Sequence, residues 1–416
     1  MSQLPLSGTR VVEFTHAVMG PTAGLLLADL GAEVIHVERT DGDPTRRLQG
    51  FGTGYFPFYS RNKKSLAVDL KRAEGRELVE RMIATADVLV ENFGPGTMDR
   101  LGLGAETLGD RHPSLIYCSL KGFLPGPYEG RIAMDEVVQM MGGLAYMTGP
   151  PGTPLRAGTS VVDIGGGMFG VIGILSALLE RKQTGRGQVV RSALFETTAF
   201  FMGQHMAYAA MSDAPIPPMP ARVSAWSIYR TFETADDEKV FVGVISDQHW
   251  QRFCEAFDKP AWRDDPRLRE NNQRIEQASW LLPAVEALMR TLNAADVLAR
   301  CERARVPAAP IGRPEDLFED PQLNRPTHGL VPTRLPNGET APLPRMPIRI
   351  GAHDLGLREQ PPSIGQDTIE LLSELGFSSE TLRALEREGV IATARAAEPT
   401  TGQPPEERSA RCSHPN

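Results

Sequence analysis

Through the first part of the chain, short unbroken apolar runs alternate with segments whose apolar residues recur every third or fourth position. Runs bounded by turn residues predict buried strands, and the wider spacing predicts helices. "TRVVEF" (9–14) is a strand, "GPTAGLLLADLGA" (20–32) a helix that stops at Gly31, and "EVIHVER" (33–39) a second strand. "SLAVDL" (65–70), "DVLVENF" (87–93) and "SLIYCSL" (114–120) are further strands. Helical "AEGRELVERMIATA" (73–86) and "ETLGDRHP" (106–113) lie between them. Strands alternating with helices build a parallel sheet. The expected fold class is α/β, with an open Rossmann-like sheet.

After Asp163 the pattern turns helical. Residues 165–181 predict one helix, and "VVRSALFETTAFFMGQHMAYAAM" (189–211) opens as a strand and continues as a second long helix. "SDAPIPPMPARVSA" (212–225) carries four prolines and reads as a linker. "SIYRTFET" and "KVFVGVIS" then pair as a hairpin across "ADDE", with helices at 247–257, 276–292 and 294–304. The expected division is a large α/β domain over 1–212, a linker at 213–224 and a small α+β domain over 225–325. A return segment, 326–392, completes the large domain, and a disordered tail occupies 393–416, where apolar periodicity is lost.

Composition narrows the functions. A chain of 416 residues exceeds one compact core. A net charge of -8 argues against a nucleic-acid partner. Cys118, Cys254, Cys301 and Cys412 are scattered, which predicts reduced thiols and neither disulfides nor a metal site. No signal-peptide core opens the sequence, and the apolar run around Met168–Leu179 falls short of the roughly 20 residues a bilayer span requires. The expectation is a cytoplasmic protein without membrane attachment. Glycine loops of the GxGxxG and GxxxxGK[ST] types, HExxH and GxSxG are missing from the predicted strand ends.

What remains is carboxylates and cations. Residues 36–76 hold nine Arg or Lys. They are either a solvated face or an anion site, and ligands of open α/β sheets bind at strand C-termini. That position favours Arg39 and Lys71. Phe93, at another strand end, is placed to stack a flat heterocycle, and Arg100 to reach a phosphate. Asp163 in "SVVDIGGGMFG" has two compatible readings. It is an N-cap, or a nucleophile kept ionised by a helix N-terminus, with Gly165, Gly166 and Gly167 leaving space for a reactant and donating N–H groups to an oxyanion.

Taken together, "LSGTRVVEFTHAVMGPTAGLLLADLGAEVIHVER", "NKKSLAVDL", "DVLVENFGPGTMDRLGLG", "DIGGGMFGVIGILSALLERKQTGRGQ", "DQHWQRFCEAF" and "VPAAPIGRPEDLFEDPQL" resemble the class III CoA-transferase family, over about residues 4–392. That family includes formyl-CoA and carnitine CoA-transferases and shares its fold with α-methylacyl-CoA racemases. The resemblance implies that Asp163 is the nucleophile, that CoA or acyl-CoA is a substrate with no tightly bound cofactor, and that two chains form an interlocked, ring-like homodimer. The CoA site would use Val18, Met19, Arg39, Val68, Asp69, Leu70, Lys71, Asn92, Phe93, Gly94, Arg100, Arg131 and Met134. A lysine of the family is replaced by Ile132, beside Arg131. Asp135 takes the place of a glutamate that formyl-CoA transferases use, and with Gly165 and Gly166 it would assist Asp163. Met134 stands where racemases carry a histidine base. Methionine cannot exchange protons, which disfavours the alternative racemase or isomerase; an acyl-CoA hydrolase is the other alternative. The implied reaction moves CoA from an acyl-CoA donor to a small carboxylate acceptor, with a dicarboxylate expected. Arg46, Arg47, Arg222 and Arg230 are candidates to clamp its second carboxylate.

Overall fold

The structure is a computed structural model that describes residues 3–222, 224–325 and 327–394. The tail expected at 393–416 lies almost wholly outside the described residues. The first six strands are β1 (Arg10–Phe14), β2 (Glu33–Glu38), β3 (Lys63–Val68), β4 (Val88–Glu91), β5 (Ile116–Lys121) and β6 (Val189–Ala193). Three more, β7 (Ile228–Glu233), β8 (Lys239–Val244) and β9 (Ala308–Pro310), form an antiparallel sheet. A hairpin pairs β10 (Val331–Arg334) with β11 (Thr340–Leu343), and β12 (Ile391–Ala392) ends the described chain.

The main sheet has the order β12-β3-β2-β1-β4-β5-β6. All its pairs are parallel except β12 with β3, where Ile391 meets Val68. The order reverses between β1 and β4, which makes that crevice the switch point of a doubly wound sheet. One sheet face, through Val12, Phe14, Ile35, Leu66 and Leu89, packs on Leu78, Val79, Met82 and Ile83 of the Ala73–Ile83 helix and on Leu371, Leu372 and Leu382 of the return segment. Helices Met19–Asp29 and Val161–Thr184 pack against each other, and the second of them also lies against β5 and β6.

The chain divides into two units. The first comprises residues up to 142, 157–202 and the described residues from 331 on; the second comprises 143–156 and 203–330. Two boundaries differ from the sequence expectation of 1–212. The second long helix breaks at Met202 into Leu194–Phe201 and Gly203–Ala210, and the unit boundary falls at that break. Residues 143–156 leave the large unit through a glycine- and proline-rich stretch without apolar periodicity, so nothing in their pattern marks the excursion. The second unit has its own core, where Ile228, Val240 and Val242 meet Trp250, Phe253, Leu281 and Val297. Its third strand, β9, is only three residues long and escaped the pattern.

The Val161–Thr184 helix has 24 residues, longer than the sequence suggested, and its hydropathy averages 1.9 over 18 of them. By length and composition it could cross a membrane. In the structure its inner face is covered by two strands and two helices.

A buried ionic cluster spans β1, β2 and β3. Glu13 Oε1 accepts from Lys63 Nζ at 2.8 Å and lies 2.9 Å from His36 Nδ1; His36 Nε2 is 3.6 Å from Asp43. Gly24 is required above it, because a Cβ there would come within 1.8 Å of Glu13 Oε2. Burial pushes the His36 imidazolium down, but the contact with Asp43, the hydrogen bond to Glu13 and the charges of Glu13 and Glu38 overcome it and lift the ring to about 9. Burial raises Asp43, and His36 and Thr45 outweigh it, bringing Asp43 to about 2. A group with a raised folded pKa stabilises fully below its unfolded value, near 6.5 for histidine, and that stability is lost as pH rises through the folded value. Wild-type melting temperature should therefore fall between pH 6.5 and about 9, by a free energy on the order of 3 kcal/mol. His36→Gln should flatten that slope in the same thermal melts; an equal slope in both proteins would contradict the assignment.

Candidate active site

The C-terminal ends of β3, β2, β1 and β4 lie side by side, and the sequence-predicted residues fall on them in order. Val68 ends β3 and Asp69–Lys71 follow it, Arg39 follows β2, Val18 and Met19 open the helix after β1, and Asn92–Gly94 follow β4. Arg131 and Met134 lie farther on, after β5, at the entry to the Asp135–Met141 helix.

The turn after β1 is strained, with Ala17 at φ 61°. Asn92 grips it from β4. Its Oδ1 accepts from His16 N and its Nδ2 donates to His16 O, both at 2.9 Å. Asn92 is thus a clamp across the switch point, and its amide is engaged by backbone rather than held open for a ligand. Phe93 stands beside it, edge-on to Phe14 and 5.8 Å from the His16 ring. Val18 and Met19 are buried, Met19 against the Val161–Thr184 helix.

Asp163 is not the cap of its helix. The helix begins at Val161, with Ser160 in the cap position, so Asp163 is the third helical residue. The capping carboxylate comes from Asp135. Its Oδ2 accepts from Val162 N at 2.9 Å and Asp163 N at 3.1 Å, and its Oδ1 accepts from Gln139 Nε2. Gln139 in turn accepts from Ala157 N at 2.8 Å. Asp135 is 6% exposed, so it holds the helix start from inside the fold. Asp163 itself is half-buried in the first turn, where the helix dipole favours an anion.

The three glycines do not make room for a ligand. A Cβ on Gly165 would come within 2.5 Å of Phe201 Cζ, on Gly166 within 2.5 Å of Met19 Cε, and on Gly167 within 2.6 Å of Met19 O. They let the helix start press against its neighbours. Their N–H groups also lie inside the helix, where the intrahelical ladder uses them. The expected assistance of Gly165 and Gly166 as oxyanion donors is therefore replaced by a packing role.

Tyr59 escaped the sequence reading, hidden in the aromatic run "YFPFY". It is buried with Val18 and Leu25 beside Ile164. Burial raises its phenol, a contact with Thr22 opposes that, and the charge of Asp163 adds to it, bringing it to about 12. The phenol stays protonated beside the carboxylate.

The arginines proposed as an acceptor clamp are engaged elsewhere. Arg46 forms a bidentate pair with Glu38, at 2.8 and 2.6 Å, and its guanidinium stacks on Phe56. Arg47 binds Asp41, Arg222 donates to Met219 O, and Arg230 lies 3.4 Å from Glu286. Arg39 is largely exposed and pairs with Asp41 at 2.8 Å, a loose surface bond that an anion could displace. Arg100 bonds Thr97 Oγ1, and Arg131 lies over Tyr128.

A half-buried carboxylate thus stands in the first turn of a helix packed on a doubly wound α/β sheet. Comparison with known proteins makes the class specific. Residues 6–368 match the model of CoA-transferase family III, and the chain belongs to that family. It is 34% identical to the succinate–glutarate CoA-transferase of Agrobacterium fabrum, covering 89% of this chain and 96% of the relative. It is 30% identical to the mouse succinyl-CoA:glutarate CoA-transferase, covering 94% and 91%. A crystal structure of a CAIB/BAIF family protein from Brucella suis superposes with a TM-score of 0.79 at 32% identity, covering 90% of this chain and all of that one.

Gly167→Ala separates packing from ligand space. Packing predicts destabilisation of about 1–3 kcal/mol, since the obstacle is backbone, read as a lower melting temperature. A space-making glycine would instead leave melting unchanged and raise KM alone.

Proposed function

We propose that the chain transfers CoA from an acyl-CoA donor to a small dicarboxylate through covalent intermediates on Asp163. The position of Asp163, in the first helical turn and anchored by Asp135, carries the proposal. The names of relatives that act on succinate, glutarate and malate support the substrate class.

In this scheme an Asp163 oxygen attacks the thioester carbonyl. The C–S bond breaks, CoA leaves as thiolate, and a mixed anhydride forms. Thiolate then attacks the Asp163 acyl carbon, releasing the donor carboxylate and leaving an aspartyl-CoA thioester. The acceptor carboxylate attacks that thioester, giving a second anhydride and thiolate. Thiolate takes the acceptor acyl group and frees Asp163. Each step exchanges one activated acyl bond for another, so the scheme consumes no ATP. CoA is a substrate throughout. Its adenosine end would lie on the Phe93–His16 wall, with its phosphates toward Arg39, Lys71 and Arg100.

The proposal extends to an interlocked homodimer. Met168, Ile172 and Leu179, on the outer side of the Val161–Thr184 helix, are 51%, 57% and 64% exposed, an apolar stripe that a second copy would cover. Light scattering should give twice the chain mass, and a monomer at micromolar concentration would refute this extension.

Incubation with succinyl-, glutaryl- and malyl-CoA against a panel of carboxylates, read by mass, should yield new acyl-CoA species. Asp163→Asn should lower the rate by at least about 10³ while melting like wild type. Free CoA alone would identify a hydrolase, and loss of chirality without mass change a racemase.

A further inference from the structure

The loop that carries Phe93 meets the core through the side chains of Phe93 and Met98. Under Pro95, Gly96, Met98 and Asp99 lies a cavity of about 200 Å³, floored by Tyr117, Ser119 and Arg191 of β5 and β6. The loop backbone is held instead by a bracket of buried charge. Glu91, the last residue of β4, is 2% exposed. Its Oε1 accepts from Ser119 Oγ at 2.7 Å, and its Oε2 accepts from Lys121 Nζ at 2.6 Å and from Phe93 N at 3.0 Å. Lys121 Nζ also donates to Phe93 O at 2.6 Å. Both backbone polar groups of Phe93 are therefore tied to one ion pair, and two of the four bonds come from one ammonium.

We infer that Lys121, acting through Glu91 and the Phe93 backbone, is a positioning residue that sets the affinity of the strand-end site for CoA. The inference rests on the CoA-transferase reading above. Charge-assisted bonds to a buried carboxylate are strong and directional, and they fix where the Phe93 ring stands relative to His16. Without the ammonium, Glu91 is left a buried anion facing a site that must take anionic phosphates, and the Phe93 carbonyl loses its donor. Both changes act on ligand binding, not on the carboxylate chemistry of Asp163, which sits on another element.

The test is calorimetric titration of the full chain with free CoA, together with steady-state kinetics. Lys121→Met should weaken CoA binding by at least about tenfold. It should raise KM for acyl-CoA correspondingly and leave kcat within about twofold. Lys121→Arg, which keeps a cation with several donors, should recover most of the affinity. If Lys121→Met does not fold, Ser119→Ala decides: it releases one oxygen of Glu91 and keeps the ammonium, and should weaken binding by about threefold with a modestly lower melting temperature. Wild-type affinity in a folded Lys121→Met, or in Ser119→Ala where that variant decides, overturns the inference. So does a kcat loss at constant KM, the mark of fewer active molecules. A wild-type chain that binds no CoA would instead refute the underlying CoA reading.

Discussion

The close approach of the Val161–Thr184 helix to everything around it governs the large unit. A Cβ on Gly170 would come within 2.7 Å of Leu120 on β5, and on Gly173 within 2.5 Å of Val190 on β6. With Gly165, Gly166 and Gly167 packed on Phe201, Met19 and Thr22, five glycines put the helix backbone where an ordinary helix could not lie. Glycine in a helix interior costs roughly 1 kcal/mol each. Here the cost is offset by buried contacts with two strands and two helices. Ser192 Oγ adds a bond to Gly166 O at 2.9 Å, fixing rotation about the helix axis.

That constraint explains the site. A helix fixed in depth and rotation presents its first turn at one place beside the β1–β4 crevice. Asp135 then sets the last freedom, the fraying of that turn, by accepting two of its N–H groups. On the opposite side of the crevice, Asn92 locks the strained turn at Ala17. Two polar clamps and a glycine ridge therefore hold the carboxylate and the predicted ligand wall in register. The ionic cluster of Glu13, His36 and Lys63 anchors the strands underneath, so much of this precision depends on charges withdrawn from water.

Much of this arrangement was legible in the sequence. The strand–helix alternation gave the parallel sheet, because apolar runs and 3.6-residue spacing report burial directly. Arg39, Lys71 and Phe93 were expected just after strand ends, and the structure places them there. Asp163 was expected at a helix start and lies in the first turn of one, but the glycines beside it pack against their neighbours. "DIGGG" reads equally as ligand space or as helix packing, and the difference lies in Met19 and Phe201, far away in sequence. Asp135 was placed near Asp163 by resemblance alone; that its carboxylate caps the helix depends on a fold that brings residue 135 to residue 162. Residue counts likewise do not reveal that Glu38 and Asp41 pair with Arg46 and Arg47.

In the proposed function this packing presents Asp163 as a nucleophile. The most direct measurement is to mix the protein with succinyl-CoA, quench in acid during turnover, digest, and map adducts by mass. A CoA or succinyl adduct is expected on the peptide containing Asp163, converted to a hydroxamate by hydroxylamine and lost in Asp163→Asn. Turnover with an unmodified Asp163 peptide and an adduct on another residue would contradict it.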